Sequence, residues 1–192
     1  MLMRRLRLPS SAISLITTTT KAPASGASHT LAHCQNKEYS VDVPALEYFA
    51  TLRVEVDAPI EVGQIDAGLR RVIPITGGEI KGTDWQGRVL SAGADFQLIA
   101  TARRAELDAR YIVELDSGER IFIQNRAVRV ASPEVTQKLI DGVAVDPSEI
   151  YFRCTPVFET ASERFQWITE RVFVGTGIRR PDCVELTIFA VS

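Results

Sequence analysis

The chain has 192 residues, 45% of them hydrophobic and 24% charged, with a formal net charge of −2. Those proportions are ordinary for a soluble globular protein with a real core, and the slightly acidic balance argues against a nucleic-acid-binding surface. No apolar run approaches the ~20 residues that a membrane-spanning helix needs.

Residues 1–40 differ from the rest. They carry Arg4, Arg5, Arg7, Lys21 and Lys37 against Glu38 alone, which leaves 17 basic and 23 acidic residues, a net charge of −6, on residues 41–192. This tail is rich in Ser and Thr, including Thr17 to Thr20, and holds both histidines, His29 and His33. An Arg-rich, acid-poor N-terminus of this kind reads as an organelle transit peptide, with Met1–Ile16 able to form a basic amphipathic helix and a mitochondrial destination. An unstructured extension, or a wrongly assigned start codon on a cytoplasmic protein, explains the same composition. The body, residues 41–192, is expected to be one domain. Having no histidine, it excludes Ser/His and Cys/His nucleophile pairs and histidine-based zinc or iron sites. Cys34, Cys154 and Cys183 form no disulfide pattern, and the two in the body read as buried, inert thiols.

From Leu46 onward the dominant period is two. Leu52, Val54 and Val56 alternate with Arg53, Glu55 and Asp57, as in a half-buried strand. Gly77-Gly78 and the stretch from Asp84 to Gly87 carry turn signals. Leu107, Ala109, Tyr111, Val113 and Leu115 alternate with Asp108, Arg110, Ile112 and Glu114, and Asp116-Ser117-Gly118-Glu119 joins Tyr111–Leu115 to Arg120–Gln124 as a hairpin. Ser132 is placed to cap a helix with Pro133 at its first position and Glu134 at its positive end. Val135, Leu139 and Ile140 give that helix an apolar face, and Gly142 and Pro147 end it. A second short helix is expected over Glu163–Trp167. Gly175-Thr176-Gly177 reads as a turn, and Val184, Leu186, Ile188 and Ala190 mark a last strand. Eight or more short strands with one or two short helices predict a mainly β protein, an antiparallel β-barrel, closed or nearly closed, with a sandwich as the other arrangement. A small barrel leaves an interior that holds one small ligand.

The run Gly68-Leu69-Arg70-Arg71-Val72-Ile73-Pro74-Ile75-Thr76-Gly77-Gly78, followed by Gly82, resembles the domain-of-unknown-function 3237 family (uncharacterised protein family 0311). Gly93-Ala94-Asp95-Phe96, Leu107-Asp108-Ala109-Arg110-Tyr111, Asn125-Arg126, Tyr151-Phe152-Arg153, Phe158-Glu159-Thr160 and Phe173–Gly177 follow in the family's order. The resemblance covers about Leu46 to Val191. It implies a small antiparallel β-barrel and carries no established activity. The chain departs from the family pattern at Ser91-Ala92, at Ala127 and in the loop Asp84-Trp85-Gln86.

Candidate catalytic residues are Asp95, Asp108, Arg110 and Arg153; candidate ligand-binding residues are Glu79, Tyr111, Tyr151 and Glu159. Asp108 and Arg110 share one face of a strand, as do Tyr151, Arg153 and Thr155. Facing inward these residues would build a polar site; facing outward they would be solvated charges. A carboxylate such as Asp95 suits a general base, and the planar fork of arginine suits an enolate, carboxylate or phosphate. No metal or cofactor is expected: the glycine pairs lack a strand–loop–helix setting, and no calcium-loop spacing occurs. Trp85 and Trp167 read as packing residues. The expected function is binding of a small acidic, carbonyl or aromatic molecule, with cofactor-free isomerase, cyclase or lyase chemistry as its catalytic form. The alternative is a filled structural or protein-interaction barrel. Homodimerisation through an exposed strand fits either; a nucleic-acid or membrane partner fits neither.

Overall fold

The structure, a computed structural model, describes residues 42–192. The transit-peptide reading, with His29, His33 and Cys34, falls outside the described residues. The described chain forms ten strands: β1 (Leu46–Val56), β2 (Ile60–Ile65), β3 (Gly68–Lys81), β4 (Gln86–Val89), β5 (Ala94–Ile99), β6 (Arg104–Leu115), β7 (Arg120–Val130), β8 (Tyr151–Thr160), β9 (Phe173–Arg179) and β10 (Cys183–Val191). Helix α1 (Pro133–Ile140) follows β7, and a 3-10 helix occupies Glu163–Glu170. No described helix is long and apolar enough to cross a membrane.

Every pairing is antiparallel, and the sheet closes on itself through a ladder between β1 and β3. Two short strands share one position in the ring. β3 pairs β5 through Leu69–Pro74 and β4 through Glu79–Lys81, and both neighbours then pair β6. The ring therefore has eight strand positions, the size at which side chains just fill the interior. β2 continues the line of β1 along β3 beyond the ring, and its Ile60 and Val62 stay exposed. Closure removes the edges of the ring itself, while β2, paired among the described strands only with β3, keeps one free edge.

Alternation decides what is inside. Leu52 and Val54, Leu107 to Leu115 at odd numbers, and Leu186, Ile188 and Ala190 all face inward. The hairpin between β6 and β7 forms as the pattern predicts. Helix α1 is also as expected: Ser132 Oγ accepts from the Val135 amide at 3.2 Å, and Val135 and Leu139 are buried. The two glycine-rich runs are a correction. Gly77-Gly78 lies inside β3 and Gly175–Gly177 inside β9; a partner-strand carbonyl at Gly78 and at Gly175, and the Phe152 ring at Gly177, leave no room for a side chain.

The two ends of the barrel differ in chemistry. The 3-10 helix plugs one end, where Phe49 packs against Trp85, Phe158, Trp167 and Phe173 with ring centroids 5.0 to 5.6 Å apart. Both tryptophans are thus packing residues, as expected. Helix α1 covers the other end, packing Ile140 against the cluster of Ile99, Ala105, Leu107 and Phe152.

Gly78 sits at the closing seam with φ +128°, and a Cβ there would come within 1.9 Å of the Arg53 carbonyl oxygen. Gly78→Ala is therefore expected to cost roughly 2–4 kcal/mol. Gly118→Ala, at φ +91° with open space around it, is expected to cost only about 1 kcal/mol. Urea unfolding followed by circular dichroism checks both; equal midpoints for the two variants would contradict the seam's role.

Candidate functional site

The sequence candidates separate into two groups by strand parity. Asp95 and Tyr111 face the interior, at 7% and 2% exposure. Asp108 and Arg110 face outward and pair with each other at 2.8 Å, with Gln124 also donating to Asp108 at 3.0 Å. Arg110, first by its hydrogen bond, holds the Asp108 carboxyl below its ordinary range, as a surface ion pair does. Arg153 also faces outward, donating to the Phe152 carbonyl at 2.9 Å and stacking over Tyr151 at 4.9 Å. Glu79 and Glu159 are exposed on the outer wall. Of the two facings the sequence leaves open, the outward one holds for Asp108, Arg110, Arg153, Glu79, Tyr151 and Glu159, which occupy strand positions of the opposite parity from the core. Asp108, Tyr151 and Arg153 instead line an open outer trough of about 840 Å³, together with Arg70, Phe96 and Arg126. Charges on such a surface remain solvated, and their pairings contribute about 0–1 kcal/mol.

Inside, at the α1 end, the apolar parity is broken by polar residues. Arg71 on β3, Asp95 and Gln97 on β5, and Asn125 and Arg129 on β7 are all buried. Arg179, at the end of β9, completes the group. A row of direct neighbours runs Ile73, Asp95, Ala109, Asn125 and Pro156 across five strands. The small side chains of Ala109 and Ala127 leave a cavity of about 40 Å³, lined also by Asp95, Gln97, Asn125, Tyr111 and Arg179. A water needs roughly 10–15 Å³ by this measure, so a few small groups fit.

Hydrogen bonds link only part of the cluster. Arg71 Nε donates to Gln97 Oε1 at 3.1 Å, and Gln97 Nε2 donates to Asp95 Oδ2 at 2.6 Å. Arg71 Nη1 also reaches the carbonyl of Ile140, at the C-terminal end of α1, at 3.4 Å. Arg179 Nη1 donates to the Cys183 carbonyl at 3.0 Å. Asp95 Oδ1, Asn125 Oδ1 and Arg129 Nη2 are sealed from solvent with no hydrogen-bond partner among the described residues. Such orphaned groups are costly and rare in folded proteins, and each calls for a partner such as an ordered water, an ion or a ligand.

The electrostatics follow from burial. Desolvation raises the Asp95 carboxyl above its ordinary range; the Gln97 hydrogen bond and the charges of Arg129 and Arg71 oppose this and are outweighed. Desolvation, then repulsion from Arg71, pulls the Arg129 guanidinium down to about 10. Desolvation likewise lowers Arg71 and Arg179. Burial raises Tyr111, which is therefore a neutral donor. Burial also pushes the Cys154 thiol up to about 11, so it is no nucleophile at neutral pH. The group can hold a negatively polarised oxygen against guanidinium groups and offer a proton from Asp95.

Arg71, Gln97, Asn125, Arg129 and Arg179 are absent from the sequence candidates. Four of them carried a readable signal. Arg71 shares parity with Ile73 and Ile75, Gln97 with Ile99, and Asn125 and Arg129 with Ile121 and Ile123, so each is polar at an inward position.

A family model described as "Protein of unknown function (DUF3237)" matches residues 44–191. A UPF0311 protein of Rhodopseudomonas palustris (strain TIE-1) is 40% identical over 150 residues, covering 77% of this chain and 98% of that protein. Among solved structures, a beta-barrel like protein from Acinetobacter baumannii AYE is 36% identical with a TM-score of 0.71, covering 81% of this chain and 100% of that one. An enzyme from Penicillium herquei shares the fold at 18% identity and a TM-score of 0.60, covering 80% and 98%.

A carboxyl whose pKa is raised by folding keeps its proton longer in the folded chain than in the unfolded one. Its contribution is therefore most favourable below the unfolded value, about 3.9, and is lost as pH rises to the folded value. Asp95→Asn removes this loss. The variant is expected to gain stability relative to the parent as pH rises above about 4, measured by urea unfolding across a pH series. A parent that gains on the variant with rising pH would show Asp95 to be a salt-bridged carboxylate instead.

Proposed function

This chain belongs to the DUF3237 family of proteins of unknown function, and we propose that its barrel interior at the α1 end binds a small carbonyl-containing molecule and moves a proton on it without a cofactor. The observation that carries this reading is Asp95: a buried carboxyl with one oxygen unpartnered, beside a cavity and within electrostatic reach of two buried arginines. A general acid–base works best when its pKa lies near the working pH, and burial moves Asp95 in that direction.

The roles follow from position. Asp95 exchanges a proton with carbon or oxygen of the substrate. Arg179, which lines the cavity, stabilises the enolate oxygen that forms when a proton leaves the neighbouring carbon. Tyr111, neutral and inward-facing, donates a hydrogen bond to the same oxygen. Gln97 holds Asp95 through its 2.6 Å hydrogen bond and is in turn held by Arg71, so both are positioning residues. Chemistry of this kind covers an isomerase, a cyclase or a lyase.

A cavity of about 40 Å³ favours a second reading, a filled barrel that acts through contacts with other proteins. Solvent exchange separates the two. A panel of small ketones and oxo acids in deuterated water, followed by proton NMR, should show catalysed exchange next to the carbonyl. Asp95→Asn should slow it by about 10²- to 10⁴-fold. No exchange with any member of the panel, or equal rates in the variant, would favour the filled barrel.

A further inference from the structure

The interior cluster carries more positive charge than its own residues neutralise. Arg71 and Arg129 are 2% and 3% exposed. Arg179 is half-buried and lines the cavity with Asp95. Asp95 is the buried carboxylate among them, and none of the three guanidinium groups forms an ion pair with it. The remaining compensation is weak. Glu61 acts on Arg71 and Asp182 on Arg179 from exposed positions, and the C-terminal carbonyl of α1 at Ile140 takes one Arg71 donor. Arg129 has no such neighbour, and its Nη2 is orphaned.

Stabilising a transient enolate asks for one well-placed guanidinium. Two held out of water, Arg71 and Arg129, with Arg179 half-buried beside them, ask for a permanent negative charge. We propose, building on the pocket reading above, that the ligand of this site is an anion: a small carboxylate whose charged group sits toward Arg129 and Arg71 under helix α1, with its carbonyl lying in the cavity beside Asp95 and Arg179. A carboxylate suits the planar fork of arginine, which offers it two parallel N–H donors. It also supplies the acceptor that the Arg129 donor lacks. Asp95 is then the acid–base group and the arginines are the specificity device, because a neutral analogue would leave them unpaired in a dry site.

The test uses the full-length chain and a matched pair of probes of nearly equal size, acetate and acetamide. Thermal unfolding is measured at constant ionic strength in a buffer with a bulky anion. Acetate should raise the unfolding midpoint saturably, and acetamide should not. Arg129→Gln should weaken the acetate effect at least tenfold while leaving the ligand-free midpoint equal or higher, since it removes a buried like charge. Arg129→Lys, which keeps the charge but loses the fork, should weaken it less than Arg129→Gln and serves if the glutamine variant fails to fold. Acetamide binding as well as acetate would overturn the anion assignment and leave the pocket reading standing. Acetate binding that neither variant alters would place the anion elsewhere and overturn it too. Binding of neither probe would overturn both.

Discussion

Holding Arg71 and Arg129 away from bulk water, with Arg179 half-buried beside them, is the constraint around which the α1 end of this barrel is arranged. Each guanidinium loses hydration that no carboxylate inside the barrel repays directly, and their mutual repulsion adds to the cost. The surrounding structure tolerates this because the rest of the interior is densely apolar. Tyr111, Val113, Ile121, Ile123 and Phe158 are buried in one continuous cluster with the aromatic plug at the opposite end. A domain of this size gains enough from such burial to carry a local deficit of several kcal/mol. Local deficits of this kind are where binding energy is released when a complementary group arrives.

The division of labour between the two ends follows from the way the ring is built. A closed sheet gives every inward residue a neighbour on each side, so one row of small residues opens space while the next is filled. Ala109 and Ala127 lie in the middle of β6 and β7, where larger side chains would fill the cavity. Beyond them α1 is stitched to the barrel through Ile140, by its side chain against the cluster of Ile99, Ala105, Leu107 and Phe152 and by its carbonyl against Arg71. The cover over the polar end is thus attached to the very group that orients Gln97 and Asp95. Movement of α1 would change the setting of the carboxyl through Arg71 and Gln97.

Much of this was legible in the sequence. The period-two runs identify the strands, and the Ser132-Pro133-Glu134 start identifies the helix. The ordered motifs from Gly68 to Gly177 identify the family. The site was half legible. Asp95 and Tyr111 stand out, but Asp108, Arg110 and Arg153 attract attention because charges with the residue types of catalysis look functional wherever they occur. Parity settles the matter for β6: Tyr111 and Leu107 are inward, so Asp108 and Arg110 cannot be. The same rule would have promoted Arg71 and Arg129, which sit among aliphatic residues of matching parity. It could not have assembled them, because their proximity depends on ring closure and on register, which local sequence does not encode. Arg179 was less accessible still, lying where β9 ends and the inward-outward rhythm weakens. The glycine runs misled for a related reason: in a tight barrel, glycine marks close strand approach as well as turns.

On the proposed reading, the α1 end of the barrel is an occupied binding site in the working protein. Native mass spectrometry of the full-length chain purified from its own host tests it most directly, with the Arg129→Gln variant purified in parallel. The expected result is a small-molecule adduct on the parent, identified after release as a carboxylic acid and absent from the variant. A bare protein mass for both, or the same adduct on both, would contradict it.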